Sequence, residues 1–461
     1  MTGVFEVQGV GFTALYDRFE GKNTLNQLDA IAKTGANNVS IVGVTNQATA
    51  SSNALSRVAS DTSLATLGKL IDRAHSNGLE VTLTPHVNLP SLEARTSIVP
   101  TDTATWFKNY TAYIVDYAKT AQAHGAEMLS IGSEMDGVAT LENTQYWNSL
   151  IDQVRQVYHG KVTYQAGMFA ANQVGFWDKV DVISVMGYVP VAADGNVTLA
   201  SAKAAWDAVP LSNWKAEKFD HMSPLDYFRG LALTHNKPFE FAEIGYRPGD
   251  GAGVSPGDWS TKFTPDAEEQ KILYQAFFEV FGKETSWFKG ANIWEWSDTP
   301  SATPKVDFAL QNAPALGLIK EWYAGEHNNM LDNTINGTNA DETLTGGSGA
   351  DLMYGGKGSD LLLGGVGNDR LFGDTGVAAL QDKLVVLATG TPAMGVDALM
   401  KVTVNGQVMG TVSVPKNADG TAGSYSFDLP AGLQVSSVSL AFTNDARNAV
   451  EDRNLVIKQV I

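Results

Sequence analysis

The chain has no cysteine among its 461 residues, which excludes a disulfide framework and any thiolate metal site. It has no uninterrupted apolar run of about 18 residues, so no membrane span is expected. Basic residues are scarce: 32 Lys and Arg stand against 50 Asp and Glu, a formal charge of −18. Nucleic acid and anionic membrane demand the opposite balance, so neither is expected as a partner. An acidic, solvated exterior suits a neutral substrate and bound cations. The first residues, MTGVFEVQGVGF, lack a basic region leading into a long apolar core, and no cleaved signal peptide is expected. What is present is a soluble globular profile, 44% hydrophobic and 18% charged. The length suffices for about two or three domains and at least one large core.

Composition divides the chain into three regions: 1–328, 329–376 and 377–461. The first alternates apolar strand-like runs with amphipathic helices. Eight runs read as strands: VFEVQGVGF from Val4, NNVSIVGV from Asn37, LEVTLTPHV from Leu79, EMLSIGSEM from Glu127, KVTYQAG from Lys161, VDVISVMGY from Val180, PFEFAEIGY from Pro238 and ANIWEWS from Ala291. Most are apolar on both faces, as in a parallel sheet covered by helices. Between the second and third, Leu64, Leu67, Leu70, Ile71 and Ala74 share one helical face, with Gly78 as a stop signal. Between the third and fourth, Asp102 or Thr103 is a plausible N-cap and Gly125 the end. Eight β/α units predict an α/β fold, a (β/α)8 TIM barrel. A doubly wound open sheet is the alternative, but no G-x-G-x-x-G follows the first strand.

In a barrel the reactive groups sit where strands end. His86 and Asn88 close strand three, Glu134 strand four, Tyr188 strand six and Glu243 strand seven. Trp294 and Trp296 alternate on strand eight and are expected on one face. Taken singly, a strand-end Glu is more often a cap or ion-pair partner, a lone His a core residue, and paired Trp barrel packing. The set is more informative than its members, because all of them converge on one rim. Two carboxylates with aromatic walls suit glycoside hydrolysis. One carboxyl protonates the leaving oxygen, and the other attacks the anomeric carbon or activates water.

The stretches TGANNVSIV, LIDRAHSNGLEVTLTPHV, WFKNYTAYIVDYAKTA, LSIGSEM, VDVISVMGYVPV, FAEIGYRPGDGAG and ANIWEWS resemble glycoside hydrolase family 113. These are clan-A retaining barrel hydrolases, chiefly β-1,4-mannanases. The resemblance implies Glu134 as acid/base, in a Gly-x-Glu context where Asn-Glu is commoner, and Glu243 as nucleophile. It implies Tyr188 as the tyrosine that hydrogen-bonds the nucleophile, and puts His86, Asn88 and Trp296 near the −1 sugar. Glu134 is then expected protonated, through burial and the neighbouring anion. Glu243 is expected ionised, helped by Tyr188, with Arg247 a second candidate partner. Asp136 reads as a turn residue. Three departures from the family bear on sugar specificity: Asn38 where Trp is usual, no Trp in GFTALYDRF, and an enlarged segment from Ala200 to Arg229 carrying Trp206 and Trp214. Trp206 is accordingly taken as a substrate-binding candidate.

Residues 346–372 read GGSGADLMY, GGKGSDLLL, GGVGNDRLF, preceded by a degenerate GTNADETLT from Gly337. These match the nonapeptide G-G-x-G-x-D-x-U-x of a Ca²⁺-binding parallel β-roll. Asp351, Asp360 and Asp369 are the leading Ca²⁺ ligands, with Asp341 a further candidate. Regular Leu, Met and Phe within the repeats argue against a plain flexible linker. The repeats resemble those of RTX proteins, which implies type I secretion without a cleaved signal peptide and an extracellular, calcium-rich destination.

After residue 377 short alternating segments, with Asn405-Gly406 as a hairpin signal, predict a small β-sandwich. The ending LAFTNDARNAVEDRNLVIKQV resembles calcium-dependent xylan-binding modules. That likeness implies Asn444, Asp445 and Asp452, with Glu451 beside them, near a metal that chelates sugar hydroxyls; Asp397 is a guess for the opposite loop. The function expected is a secreted, monomeric, retaining endo-glycosidase on a β-linked polysaccharide, β-1,4-mannan or glucomannan first. It needs no cofactor for catalysis and Ca²⁺ only for structure. A β-xylanase or bacterial exopolysaccharide hydrolase is the enzymatic alternative. A non-catalytic calcium-dependent carbohydrate binder or matrix protein is the alternative of another class.

Overall fold

The structure is a computed structural model. It describes residues 4–13, 22–56, 61–91, 93–193, 195–258, 260–297, 306–325, 334–338, 340–348, 352–366, 370–373, 383–416, 422–429, 435, 437–444 and 453–460. Eight strands close into one barrel in sequence order: β1 (Val7–Thr13), β2 (Asn38–Asn46), β3 (Glu80–Asn88), β4 (Met128–Ser133), β5 (Lys161–Ala166), β6 (Val182–Met186), β7 (Phe239–Ile244) and β8 (Phe288–Ser297). Every neighbouring pair is parallel, β8 returning to β1. The chain therefore forms the TIM barrel and not the open doubly wound sheet.

Around the strands run α1 (Lys22–Ala32), α2 (Leu64–Ser76), α3 (Thr103–His124), α4 (Thr144–Arg155), α5 (Leu199–Trp206), α6 (Asn213–Lys218), α7 (Pro224–His235), α8 (Ala267–Phe281) and α9 (Leu316–Ala324). Local chemistry sets their ends. Ser63 caps α2 by accepting from Thr66 N–H, and Asp102 caps α3 by accepting from Thr105 N–H. Gly125 closes α3 at φ 76°, a left-handed conformation that glycine adopts without a Cβ clash. In α2 the buried set is Thr66, Leu67, Gly68, Leu70, Ile71 and Ala74, one face as the spacing requires.

The two sides of the barrel wall differ. Between strands and helices lies an aromatic layer in which Phe228, Phe239, Phe241, Phe277, Phe281 and Phe288 pack edge to face or tilted. Inside the ring runs a polar ladder: Ser40 to Thr84 at 3.0 Å, Gln165 to Thr84 at 3.0 Å, and Thr163 through Ser184 to Glu240 at 2.7 and 2.8 Å. The paired hydroxyls and the Gln165 Nε2 amide nitrogen find partners there, while Gln165 Oε1 is buried without one.

The chain divides into two compact units. One comprises Met1–Ile335, Thr345–Met353 and Leu363–Leu371; the other comprises Asn336–Leu344, Tyr354–Leu362 and Phe372–Ile461. The glycine-aspartate repeats give β9 (Thr334–Asn336), β10 (Thr343–Ser348), β11 (Leu352–Tyr354), β12 (Leu361–Val366) and β13 (Arg370–Phe372), in sheets ordered β10-β12 and β13-β11-β9. They make the short parallel β-roll. Successive coils join through the backbone, Gly337 N–H to Tyr354 O at 2.7 Å and Gly355 N–H to Phe372 O at 2.8 Å. The last strands are β14 (Lys383–Thr391), β15 (Ala398–Val404), β16 (Gln407–Val414), β17 (Gly423–Asp428), β18 (Val438–Phe442) and β19 (Asn454–Val460). They form two three-stranded sheets, β17-β14-β19 and β16-β15-β18, over a core including Val386, Met400, Val402 and Phe427. This is the expected sandwich, with Asn405 and Gly406 at the β15–β16 turn in left-handed conformations.

Candidate active site

Glu134 follows the last residue of β4 and takes φ 50°, rare for a residue with a Cβ. Its N–H donates to Gln165 O at 2.7 Å, and the next N–H, of Met135, donates to Tyr164 Oη at 2.9 Å. Two neighbouring-strand contacts thus hold a backbone turn that costs about 1 kcal/mol or more. The carboxylate is part-buried and pairs with Arg95, Nη1 to Oε2 at 2.8 Å. Arg95 stands on the short helical turn Arg95–Ser97 beyond β3. It also donates to Asn88 Oδ1 at 3.1 Å and Val87 O at 3.4 Å.

Glu243 lies near the end of β7 with 6% of its surface exposed. Tyr188 Oη donates to its Oε2 at 2.8 Å. His86 Nε2 is 3.6 Å from Oε1, is buried and makes no hydrogen bond. Burial first, and the Arg95 charge second, hold His86 well below its ordinary pKa, so it is a neutral imidazole. Its ring lies 6.2 Å from that of Trp294, interplanar angle 29°. Ser133 Oγ, one residue before Glu134, is also buried without a partner.

Burial pushes the Glu243 carboxyl up to about 8, and the Glu134 charge adds to the rise; the Tyr188 hydrogen bond and Arg95 oppose it. Glu243, expected ionised, is thus pushed toward its protonated form in the resting site. The residue read as nucleophile is the more deeply buried, and the arginine sits on the other carboxylate. Burial and Glu243 raise Tyr188 well above its ordinary value, which keeps its proton available for donation. Asp136 is raised to about 6, by burial and then by Glu134, while accepting from Gly167 N–H at 3.2 Å.

His86, Tyr188, Glu243 and Trp294 meet, and Asn88 reaches Glu134 through Arg95. Three sequence expectations fall elsewhere. Trp296 is buried and donates its indole N–H to Gln27 of α1 at 2.8 Å. The β1–β8 register shifts between Val10 and Phe12, which pair with Ile293 and Trp296, so one extra residue on β8 breaks the alternation and parts the two tryptophans. Trp206, on α5, is fully buried against Phe241 and Phe281, where no sugar can reach it. Arg247 donates to Val306 O, Asp258 O and Thr261 O and stacks over Phe263, so its guanidinium braces loops and does not serve Glu243. Asn38 opens β2, at the end opposite the rim. Two groups were missed. Arg95 had no strand-end signal. Glu295, which accepts from Thr13 Oγ1 and adds to the rise of Glu243, was hidden between two tryptophans.

In the roll, Asp341 Oδ1 accepts from Ser359 N–H at 2.8 Å and Asp360 Oδ1 from Glu342 N–H at 3.0 Å. Asp360 Oδ2 is buried with no partner. A bare carboxylate oxygen facing the coil turn is what a hard, oxygen-seeking cation takes up, so the residues fit Ca²⁺. Asp351 and Asp369 lie outside the described residues, as do Asp445, Glu451 and Asp452. Among the described residues no three His, Asp or Glu gather as a metal cluster. In the sandwich, Asn444 uses its side-chain amide on the backbone, accepting from Leu399 N–H at 2.6 Å and donating to Asp397 O at 2.8 Å. Buried Arg453 donates to Ala393 O, Val396 O and Asn444 O, fastening the same loop.

A parallel eight-stranded barrel with two carboxylates, a neutral histidine, a tyrosine and a tryptophan at one rim defines a β/α-barrel glycoside hydrolase. The model of Glycoside Hydrolase Family 113 matches residues 9–311. The chain belongs to that family. RTX calcium-binding nonapeptide repeats match at 336–371, and a Ca-dependent xylan-binding carbohydrate-binding module at 383–461. Among solved structures, a complex of a family 113 β-1,4-mannanase is similar at 27% identity and TM-score 0.60, covering 69% of this chain and 98% of that one. A family 113 β-mannanase from Alicyclobacillus acidocaldarius, in complex with ManMIm, shares the fold at 24% identity and TM-score 0.59, covering 69% and 97%. No curated protein matches the chain. The repeats and the module indicate calcium binding. No helix among the described residues is long and apolar enough to cross a membrane.

Proposed function

We propose that the barrel is a retaining endo-hydrolase of β-1,4-mannan or glucomannan. One observation carries this reading: Glu134 and Glu243 stand at the C-terminal ends of β4 and β7 on one rim of the parallel barrel, the first held by Arg95 and the second by Tyr188. Two carboxyls converging on one rim can act on one glycosidic bond. Glu243, held through Oε2 by Tyr188, attacks the anomeric carbon with its other oxygen. The glycosidic C–O bond breaks, and its oxygen takes the proton of Glu134. Glu134 then takes a proton from water, whose oxygen attacks the same carbon and releases Glu243. For this attack Glu243 must lose the proton that its burial favours. His86 Nε2 and Ser133 Oγ, both without partners, can meet sugar hydroxyls, and the half-buried Trp294 can face a pyranose ring.

We further propose three functional parts, 1–328, 329–376 and 377–461, in an extracellular, monomeric protein exported by the type I route. Asp341, Asp351, Asp360 and Asp369 would hold structural Ca²⁺ in the roll. Asn444, Asp445 and Asp452 would hold it in the module, which would bind a xylan-like polymer. That module match also favours a second reading, a β-xylanase.

Reducing-sugar release from a mannan, xylan and exopolysaccharide panel tests the assignment, with Glu134→Gln and Glu243→Gln beside the wild type. Mannan cleavage lost in both variants is expected, with retained anomeric configuration by NMR. Xylan cleavage without mannan cleavage favours the second reading. No release from any polymer points to a calcium-dependent binder, and an inverted product rejects the double displacement.

A further inference from the structure

Going round the ring from β4 to β7, the two carboxylates bound two arcs. One arc, through β8, β1, β2 and β3, holds Trp294, His86 and Asn88. The other, through β5 and β6, holds a cleft of about 280 Å³ lined by Phe169, Tyr188, Pro190, Trp214, Lys215 and the 254–258 loop. Tyr188 belongs to both, its hydroxyl on Glu243 and its ring in the cleft wall. The cleft and the reacting centre thus share Tyr188, which meets one oxygen of Glu243 while His86 lies near the other.

Trp214 is 54% exposed, unusual for so large an aromatic. It stands on α6. Its ring packs edge-on against Phe169 at 5.1 Å, and Phe169 rests on Phe219 at 5.5 Å. The segment is tied down where Asn172 Nδ2 donates to both Asp220 oxygens at 3.3 Å. Opposite, Gly257 allows its loop to approach Tyr188: a Cβ there would stand 3.3 Å from the tyrosine Cβ. Lys215 also lines the cleft, and no ion pair engages it among the described residues. An exposed indole face beside an ammonium donor, in a cleft that shares Tyr188 with Glu243, matches a pyranose ring with its apolar C–H face and hydroxyl edge.

We propose that this cleft is a leaving-group-side subsite in which Trp214 stacks on a sugar beyond the scissile bond, with Lys215 donating to its hydroxyls. This rests on the hydrolase reading, which puts the −1 sugar against His86 and Trp294. Trp214 is then a specificity-determining residue on α6.

The test uses the full chain and its Trp214→Ala and Trp214→Phe variants on two substrates. One is reducing-end-labelled mannohexaose, and the other an aryl β-mannobioside whose leaving group ends beside the scissile bond. Trp214→Ala should lower kcat/KM on the hexaose about tenfold more than on the aryl substrate. It should also move the cleavage position toward the reducing end. Trp214→Phe should restore most of the difference. Equal losses on both substrates, or an unchanged cleavage pattern, overturn the subsite. If Trp214→Ala does not fold, the Trp214→Phe and Lys215→Met cleavage patterns decide. Failure of the wild type to cleave either substrate is a separate result: it overturns the mannan hydrolase reading.

Discussion

Arg95 Nη1 lies 2.8 Å from Glu134 Oε2, and the same guanidinium lowers both Glu243 and His86. One cation from the loop after β3 therefore bears on both carboxylates and on the His86 imidazole. Removing it takes away a charge that favours ionised Glu243. That carboxyl, already near 8, moves higher. If ionised Glu243 attacks, the acidic limb of kcat/KM moves to higher pH in Arg95→Met, and the rate near neutrality falls about tenfold. Glu134→Gln removes the anion that raises Glu243, so its limb moves the opposite way. Substrates with poor leaving groups should also lose about 10²–10⁴-fold. Profiles on an aryl glycoside check both, and limbs moving in the same direction refute the shared control.

Tyr188 donates to Glu243 Oε2 at 2.8 Å, and this bond lowers the carboxyl. Tyr188→Phe keeps the ring in the wall and removes only the hydroxyl. The carboxyl loses its orientation and becomes harder to ionise. Both act on the attacking step, so kcat should fall about 10–100-fold with KM little changed, and the acidic limb should again move up. A variant that loses affinity alone would make Tyr188 a sugar contact and nothing more.

Glu240 is buried inside the ring, accepts from Ser184 Oγ at 2.8 Å and has its carboxyl raised from 4.5 to about 7 by burial. Below pH 4.5 the group is neutral folded or unfolded, and its contribution to stability is intact. As pH rises toward 7 the unfolded chain ionises while the folded chain keeps the proton, so stability falls, by up to about 3 kcal/mol. Glu240→Gln should flatten this fall in denaturant titrations across that window. Glu243 and Asp136, raised in the same direction, leave a residual slope, which the double variant with Glu243→Gln should reduce further. An unchanged slope in both variants would mean that neither proton is retained on folding.

The barrel was legible because its strands are covered on both faces and read as unbroken apolar runs, and because Asp102, Gly125 and Gly78 mark helix ends by local chemistry. A strand-end polar residue was legible where the strand keeps its alternation and unbroken register to its end, as at His86 on β3. Trp296 was misread because the added residue in β8 is a property of pairing with β1, which no period within ANIWEWS reveals. Trp206 was misread because nothing in its own segment says which side of α5 meets Phe241 and Phe281. Arg95 was invisible for a related reason: its partner Glu134 is 39 residues away, and only closure of β3 beside β4 brings them together.

Asp360 offers the sharpest test of calcium in the roll. Its Oδ1 is engaged by Glu342 N–H, while its Oδ2 is buried and unmatched, so an ionised Asp360 without a cation leaves an uncompensated oxygen in the coil. Supplying Ca²⁺ removes that penalty and adds binding energy to folding, so the roll's melting should rise with free Ca²⁺ by mass action. Chelation should lower its Tm by several degrees, with barrel hydrolysis measured separately as a control. Asp360→Asn keeps an acceptor at Oδ1 but removes the charge. It should melt higher than the wild type in chelator and gain less from added Ca²⁺, so that the two melting curves cross as calcium is titrated. Parallel curves would assign the calcium response to other residues and leave Asp360 a backbone cap.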